Sequence, residues 1–375
     1  MRITFGIFGS WWGGNLGDVA ILCGTVETIQ KIFPHSKILV PSSNPDQLKR
    51  HLPEYDNVHV REVWTNYIGR KTLSVVRESD LVVIGGGGLF FSHSLHNPLK
   101  NHLINIYPLT LLTNLLNVDT HLISVGVSTL EGMAAQNLTA RIINNTSSTS
   151  VRDERSKQII ERITGNEIPI IPDMAFALCD SNREFNYSVD LDLPQRYIII
   201  SLHEHLVLNS RRQLDSTASQ IIKHIDSYIT DRSTEIVFHN NYTTSSWLSE
   251  LVDSIDLNSE SHIIGENLEM TPREAIKIYS GAEQAICSQM HANIMSVIAS
   301  TPTTAIEYDP KVRSMMKFLG KESQVLTIEQ ALSQKELIET VSESSKVTDQ
   351  IIEGITKELD LKIRSQFKSV LKDEI

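Results

Sequence analysis

The chain has 375 residues and a formal net charge of −11 at pH 7, which suggests two domains of ordinary size and argues against nucleic acid as the main partner. A duplex-binding protein is expected to show a basic face or stripe, and this sequence has none. The three cysteines, Cys23, Cys179 and Cys287, are an odd number in no metal-type spacing, which favours free thiols in a reducing compartment.

Two segments bear on the location of the protein. Residues 1–8 run directly into a glycine turn and are too short to hold a signal peptide core, so they are interpreted as a first strand. The most apolar segment, 103–127, is interrupted by a proline and several polar residues, which favours a helix and a buried strand over a membrane span. We therefore expect a cytoplasmic protein without a transmembrane segment. Peripheral membrane association and the oligomeric state are left open.

The first half of the chain alternates strand-like and helix-like segments. Strands are predicted at 3–8, 37–40, 58–60, 81–84, 121–125, 149–151 and 168–171. Helices are predicted at 19–32, 46–52, 73–79, 103–117, 135–144 and 154–163. This alternation predicts a mainly parallel, doubly wound sheet in a first domain at residues 1–180.

A polar, aperiodic stretch at 181–195 is predicted to link this domain to a second one at 196–328. Its strands are predicted at 197–202, 235–238, 262–264, 285–287 and 303–306, with helices starting near residues 216, 246, 271, 291 and 312. The sequence therefore predicts an α/β fold of two doubly wound domains that face each other across a cleft. The charged tail, 329–375, carries apolar residues three or four apart and is expected to fold back across the domain junction.

Two glycine-rich loops follow predicted strands of the first domain. One is the loop from Gly9 to Asp18, in which glycines allow a close approach of backbone to ligand. In it, Asn15 and Asp18 are suited either to capping a helix or to binding sugar hydroxyls. The other is the run from Gly85 to Gly88, where four glycines at a strand end suggest that a ligand comes close, with close helix packing as the less favoured alternative. Neither loop has the spacing of a nucleotide-binding motif.

Two further motifs lie at strand-to-helix turns. Arg152 and Asp153 end one predicted strand and begin a helix, where a helix cap and a structural ion pair are the simplest roles. His291 lies at the turn between strand 285–287 and the next helix, which is where open α/β sheets bind ligands. Backbone N–H groups at such a turn favour anions, and a histidine there is suited to acid, base or phosphate-binding work.

Taken in order, these motifs resemble the polysaccharide pyruvyltransferase family. The matching pieces are Asn15-x-Gly17-Asp18, Gly85–Gly88, Ser150-Val151-Arg152-Asp153-x-x-Ser156, Pro172-Asp173-x-Ala175-Phe176, and Ser288-x-x-His291-Ala292 leading to Pro302 and Tyr308-x-x-Lys311. The resemblance implies a fold like that of the two-domain GT-B glycosyltransferases, with Rossmann-like domains. It also implies transfer of pyruvate from phosphoenolpyruvate onto two hydroxyls of a sugar in a cell-surface or exported polysaccharide.

Roles for individual residues follow from that chemistry and the motif positions. The catalytic residues are predicted to be His291 and Asp18. The donor-binding residues are predicted to be Ser288, Gln289, Lys311, His203, His205 and Arg313. The acceptor-binding residues are predicted to be Asn15, Gly17, Gly86, Gly87, Arg152 and Asp153. No metal or cofactor is expected, and the partners are phosphoenolpyruvate and a glycan or lipid-linked glycan.

The chain departs from the family pattern at two positions. Family members usually carry Arg where this chain has Gln289, and many carry Arg where it has His203. Arg holds phosphate or carboxylate with a permanently charged fork that neither residue reproduces, so the anionic donor would depend on protonated His203 or His205, Lys311 and Arg313. Two alternatives therefore stay open: a GT-B-like glycosyltransferase that uses a nucleotide sugar, and a non-catalytic glycan-binding family member.

Overall fold

The structure is a computed structural model that describes residues 3–64, 67–92, 101–179, 191–206, 210–242, 245–265 and 270–368. The chain divides into two compact units. The N-terminal unit comprises residues 1–13, 18–178 and 355–375, and the C-terminal unit comprises residues 14–17 and 179–354.

The N-terminal unit is built on a six-stranded parallel sheet in the order β3-β2-β1-β4-β5-β6. The strands are β1 (Thr4–Phe8), β2 (Lys37–Ser42), β3 (Val58–Glu62), β4 (Leu81–Gly85), β5 (Asp119–Val125) and β6 (Ser148–Val151). The central strands β1 and β4 are near-continuous runs of buried apolar residues and glycine, as expected for a sheet covered by helices on both faces.

A helix follows each of these strands. They are α1 (Leu16–Ile32), α2 (Pro45–Arg50), α3 (Arg70–Glu78), α4 (His102–Leu115), α5 (Met133–Asn144) and α6 (Glu154–Thr164). Helix α4 begins with Asn101, whose side chain accepts hydrogen bonds from the N–H groups of Leu103 and Ile104. Helix α6 begins with Asp153 and ends at Gly165, which adopts a left-handed conformation.

The C-terminal unit repeats the same topology, with a six-stranded parallel sheet in the order β12-β11-β10-β7-β8-β9. The strands are β7 (Tyr197–Ser201), β8 (Glu235–His239), β9 (Ser261–Ile264), β10 (Gln284–Cys287), β11 (Thr303–Glu307) and β12 (Val325–Thr327). Their helices are α7 (Arg211–Ile229), α8 (Trp247–Asp253), α9 (Pro272–Gly281), α10 (Met290–Ile298), α11 (Pro310–Phe318) and α12 (Ile328–Leu332). The predicted α/β fold of two doubly wound, Rossmann-like domains is confirmed.

Two helices complete the chain, α13 (Gln334–Glu343) and α14 (Asp349–Gln366). The apolar stripe predicted in the tail is buried at each described position, Ile352, Ile355, Leu359, Ile363 and Phe367, whereas Leu371 lies outside the described residues. Within the N-terminal unit the Phe367 ring contacts the rings of Phe5, Phe33 and His121. Residues after 354 therefore contribute to the core of the N-terminal unit.

One predicted strand was wrong, and one observed strand was not predicted. The segment 168–171 is not a strand, because it makes only a single bridge from Ile170 to Val151. Pro169 and Pro172 flank that bridge and lack the N–H groups that a ladder needs. Conversely, β12 was not predicted, because its three residues, at the edge of the sheet, are too short to show a period. The predicted linker lies mostly outside the described residues.

The described part of the chain was also searched for membrane spans and metal sites. Within it, none of the helices is both long and apolar enough to cross a lipid bilayer. The same residues contain no group of three or more His, Cys, Asp or Glu side chains placed to hold a metal ion.

Candidate active site

In the C-terminal unit, β7 and β10 are neighbours in the sheet, with β8 and β9 beyond β7 on one side and β11 and β12 beyond β10 on the other. The direction in which successive strands are added therefore reverses between β7 and β10, which makes this point a topological switch point. Ligands of open α/β sheets bind outside the carboxyl ends of strands at such a point. Two hydrogen bonds connect the segment that follows β7 with the segment that follows β10. The N–H of His203 donates to Oγ of Ser288 at 2.7 Å, and Nε2 of Gln289 donates to the carbonyl of Leu202 at 3.3 Å.

Helix α10 begins at this switch point, directly after β10. Asn293 stabilises the turn, because its amide donates to the carbonyls of Cys287 at 3.1 Å and Gln289 at 2.8 Å. Gln289 is the N-cap residue, and its side chain makes no hydrogen bond to the first turn of the helix. His291 is the second residue of the helix and is half-buried.

The imidazole of His291 lies against Gly17 within the C-terminal unit. A Cβ built on Gly17 would fall 2.7 Å from Cβ of His291 and closer still to its ring, so a side chain at residue 17 would displace the imidazole. Asn15 holds this glycine, since its Oδ1 accepts a hydrogen bond from the N–H of Gly17 at 2.9 Å. Asn15 in turn bridges Tyr242 in the loop after β8.

His203 is enclosed by polar and aromatic neighbours and is 7% exposed. Its Nδ1 accepts a hydrogen bond from the N–H of His205 at 2.9 Å, which assigns the proton of the neutral ring to Nε2. That Nε2 lies 3.2 Å from the hydroxyl of Tyr242 and donates to it in this tautomer. The ring also stacks on Tyr308, with centroids 4.4 Å apart.

Burial, together with the nearby charges of Lys311 and His205, lowers the pKa of His203 to about 3. The ring is therefore neutral near pH 7, which does not agree with the suggestion that a protonated His203 replaces the missing Arg. It remains a hydrogen-bond partner at the carboxyl end of β7. His205, whose side chain is 64% exposed, lies 4.0 Å from Glu204.

Two cations follow β11. Lys311 has its ammonium 4.9 Å from the centre of the Tyr308 ring and 3.8 Å from a carboxylate oxygen of Asp309. Arg313 is bound more closely, because its Nε donates to Glu307 at 2.6 Å. Lys311 therefore belongs to the same cluster as His203, and both cations pair with carboxylates, Arg313 more closely than Lys311.

In the N-terminal unit, Gly86 and Gly87 follow β4 and both have positive φ angles, 58° and 75°. A side chain on Gly86 would overlap Ile21, so this glycine is required for helix α1 to pack on the sheet. A Cβ on Gly87 would instead lie 3.6 Å from Oδ1 of Asp18, in ordinary contact. Gly87 and Asp18 are thus neighbours at the β1–β4 switch point.

Arg152 is buried and engaged by acids. Its Nη1 lies 3.2 Å from Oδ2 of Asp173 and its Nε 3.5 Å from Oδ2 of Asp153. Asp153 also caps α6, since its Oδ1 accepts from the N–H of Ser156 at 2.7 Å. Arg152 and Asp153 therefore form the structural ion pair and the helix cap that the sequence motif suggests.

The structure brings together one set of predicted residues within the C-terminal unit: His291, Gly17, Asn15, Ser288, Gln289, His203, His205 and Lys311. Tyr242, which contacts both Asn15 and His203, was not among the predicted residues. It lies three residues beyond the end of β8, and that position at a strand end is the signal that could have found it. Asp18, Gly86, Gly87, Arg152 and Asp153 belong to the N-terminal unit.

Fold and site define a GT-B-like protein with two Rossmann-like domains. A family model described as polysaccharide pyruvyl transferase matches residues 15–310. The chain therefore belongs to the polysaccharide pyruvyl transferase family, and it is a transferase.

Solved structures share the fold at low sequence identity. The UDP-GlcNAc 2-epimerase of Methanocaldococcus jannaschii has a TM-score of 0.61 and 14% identity, covering 97% of this chain and 99% of its own. The enzyme of that name from Neisseria meningitidis, bound to UDP-GlcNAc, has a TM-score of 0.61 and 13% identity, covering 98% and 100%. The N-terminal domain of Candida albicans trehalose-6-phosphate phosphatase has a TM-score of 0.57 and 8% identity, covering 100% and 98%. Among curated proteins, no sequence is similar enough to count as a match.

Proposed function

We propose that this transferase moves pyruvate from phosphoenolpyruvate to two hydroxyls of a sugar in a polysaccharide or its lipid-linked precursor, as a ketal. The proposal rests mainly on the position of His291, which lies in the first turn of α10 at the β7–β10 switch point and packs closely against Gly17. A titratable group is thereby held beside first-turn N–H groups that favour an anion.

The reaction balances without a cofactor. The methylene of phosphoenolpyruvate gains a proton and becomes the methyl group, and the electron-poor C2 then accepts the first sugar hydroxyl. Phosphate leaves with the C2–O bond electrons, and the second hydroxyl takes its place. One hydroxyl proton in effect ends on the methyl group and the other on phosphate.

His291 is proposed as the acid for the methylene, because histidine is the side chain that most often transfers protons in enzymatic general acid–base catalysis. The packing against Gly17 fixes its ring, and such orientation contributes much of the rate of an enzymatic step. Asp18 is proposed as the base for an attacking hydroxyl. Its neighbour Gly87 has no side chain, which leaves the backbone there open to a sugar.

The negative donor is proposed to bind at the first turn of α10 and to Lys311. The ammonium of Lys311 lies 3.8 Å from a carboxylate oxygen of Asp309, whereas Arg313 lies only 2.6 Å from Glu307. The hydroxyl of Ser288 and the amide of Gln289 lie at the same strand ends. The hydroxyl of Tyr242, which accepts a hydrogen bond from neutral His203, is proposed to donate its own hydrogen to a carboxylate or phosphate oxygen.

A second candidate is a transferase that takes a nucleotide sugar. The two positions where the family usually has Arg, Gln289 and His203, lie side by side and carry no charge near pH 7. Two solved structures with this fold are of enzymes whose names refer to UDP-GlcNAc. The stack of His203 on Tyr308 would in that case be a surface for a flat ring.

One incubation separates the two. Phosphoenolpyruvate labelled with carbon-13 at C2 is mixed with the protein and a panel of glycans, and a parallel sample receives UDP-GlcNAc. The proposal expects release of inorganic phosphate with conversion of the label into a ketal carbon, seen by NMR and lost in His291→Ala. Consumption of UDP-GlcNAc with no phosphate release would replace the proposal by the second candidate. Turnover of neither substrate would favour a glycan-binding protein without catalysis.

A further inference from the structure

A small cleft lies in the N-terminal unit at the carboxyl ends of β1, β2 and β3, beside the β1–β4 switch point. Its volume is about 80 Å³. It is lined by Gly9, Ser10, Trp11, Trp12, Pro41, Ser42, Ser43, Trp64, Tyr67 and His102. A cleft of this volume is smaller than the ~300 Å³ of a typical small-molecule pocket, so it fits one edge of a ligand that lies across it.

One wall of the cleft is rigid. Trp11 is 3% exposed and its indole N–H donates to the carbonyl of Ile7 at 3.1 Å. Tyr67 donates its hydroxyl hydrogen to the carbonyl of Gly9 and packs edge-on against Phe8, with centroids 5.3 Å apart. A ligand would meet these aromatic rings already in place, which limits the entropy lost on binding.

The other wall is open to solvent. Trp64 follows β3 and is 68% exposed, and Trp12 is half-buried. Tryptophan is usually well buried on average, so an indole left in water beside an aromatic cleft indicates a binding surface.

The cleft is uncharged. Among the described residues that line it, the only titratable side chain near neutral pH is His102, and burial lowers its pKa to about 4. The remaining polar groups are the hydroxyls of Ser10, Ser42 and Ser43. Neutral aromatic faces bordered by hydroxyls match a pyranose ring, which has an apolar C–H face and a hydroxyl edge. They do not match a phosphate or a carboxylate.

We propose that this cleft is a glycan subsite in which Trp64 and Trp12 stack against a sugar ring of the acceptor chain other than the one that reacts. This inference rests on the proposed function, because it assigns an additional sugar of the same acceptor. The placement supports it: the β1–α1 loop that supplies Trp11 and Trp12 runs on to Asp18, which lies beside Gly87 in the same unit. A chain with several sugar residues therefore binds more tightly than a single sugar.

The test uses the full chain and a panel of oligosaccharides with one to four hexose or N-acetylhexosamine units. Isothermal titration calorimetry measures the affinities of all variants, and in wild type tryptophan fluorescence also reports binding, because Trp64 is exposed whereas Trp247 is buried. We expect affinity to rise with chain length in wild type. Trp64→Ala should lower the affinity for the longer oligosaccharides about tenfold and leave the affinity for single sugars unchanged. Trp64→Phe should keep most of the increase in affinity with chain length. Leu115→Ala, which removes a 79% exposed apolar side chain from α4, is the matched control.

Transfer assays separate this inference from the function on which it rests. In Trp64→Ala, KM for the longer acceptor should rise while kcat and the KM for phosphoenolpyruvate stay as in wild type. If both wild type and Trp64→Ala transfer pyruvate with the same KM for the longer acceptor, the proposed subsite is refuted and the proposed function is retained. Fluorescence that responds to UMP and not to any sugar would overturn it as well, because the cleft would then hold a nucleobase. Length-dependent, Trp64-dependent sugar binding without pyruvyl transfer would retain the glycan cleft and refute the function.

Discussion

The imidazole of His291 and the α-carbon of Gly17 are packed so closely that a Cβ on the glycine would stand 2.7 Å from Cβ of the histidine. This contact joins the residues 14–17 to the first turn of α10 within the C-terminal unit. The contact explains why residue 17 is a glycine, because its φ angle is not in the left-handed region that would by itself favour glycine.

Gly17→Ala should therefore lower kcat for pyruvyl transfer by about 100-fold, because a displacement of about 1 Å in a catalytic group costs that much. Steady-state kinetics checks this expectation, with the melting temperature measured alongside. Gly354→Ala is the control, since a Cβ there meets open space in the middle of α14. An unchanged kcat in Gly17→Ala would mean that the ring position does not matter for catalysis.

Lys311→Met should raise the KM for phosphoenolpyruvate about tenfold or more, since it removes the charge assigned to the donor. The change should have less effect on the KM for the glycan. Lys317→Met, on the exposed side of the same helix, serves as the control. Equal KM values for phosphoenolpyruvate in the two variants would show that Lys311 does not hold the donor.

Arg152→Met should destabilise the protein by about 3–5 kcal/mol, because Asp173 would stay buried at 5% exposure without its cation. Chemical denaturation measures this loss. The double variant Arg152→Met/Asp173→Asn should recover part of it, since the uncompensated carboxylate is then gone. Full stability with a raised KM for the glycan would instead support the acceptor-binding role predicted from the sequence.

Mild acid should destabilise the fold through four buried histidines, whose pKa values are lowered from 6.5 chiefly by burial. They are His102, His121 and His239, each with a pKa of about 4, and His203, with a pKa of about 3. The unfolded chain takes up protons below pH 6.5 while the folded chain does not. Stability is therefore complete above pH 6.5 and is lost as the pH falls toward 4, by about 1.4 kcal/mol per pH unit for each histidine.

The melting temperature as a function of pH checks this expectation. Between pH 6.5 and 4, His239→Gln should show a smaller slope than wild type. His35→Gln, at an exposed position, should keep the wild-type slope. A slope in His239→Gln as steep as in wild type would show that this ring is not kept neutral by the fold.

The sequence was sufficient to predict the alternating strands and helices, because buried parallel strands are continuous apolar runs such as 81–84 and 197–200. It also placed His291 at a strand-to-helix turn. It did not reveal the contact between Gly17 and His291, which joins residues far apart in the chain, nor the neutral state of His203, which depends on its surroundings. Tyr242 was missed for the same reason, since its partners Asn15 and His203 come from other segments.

The most direct test of pyruvyl transfer is to run the reaction in heavy water and to examine the product by mass spectrometry and NMR. Ketal formation adds a solvent-derived hydrogen to C3 of phosphoenolpyruvate, so the methyl group of the product should carry deuterium. The signal should disappear in His291→Ala. A product that keeps the C=C double bond, or a methyl group without deuterium, would contradict the proposed chemistry.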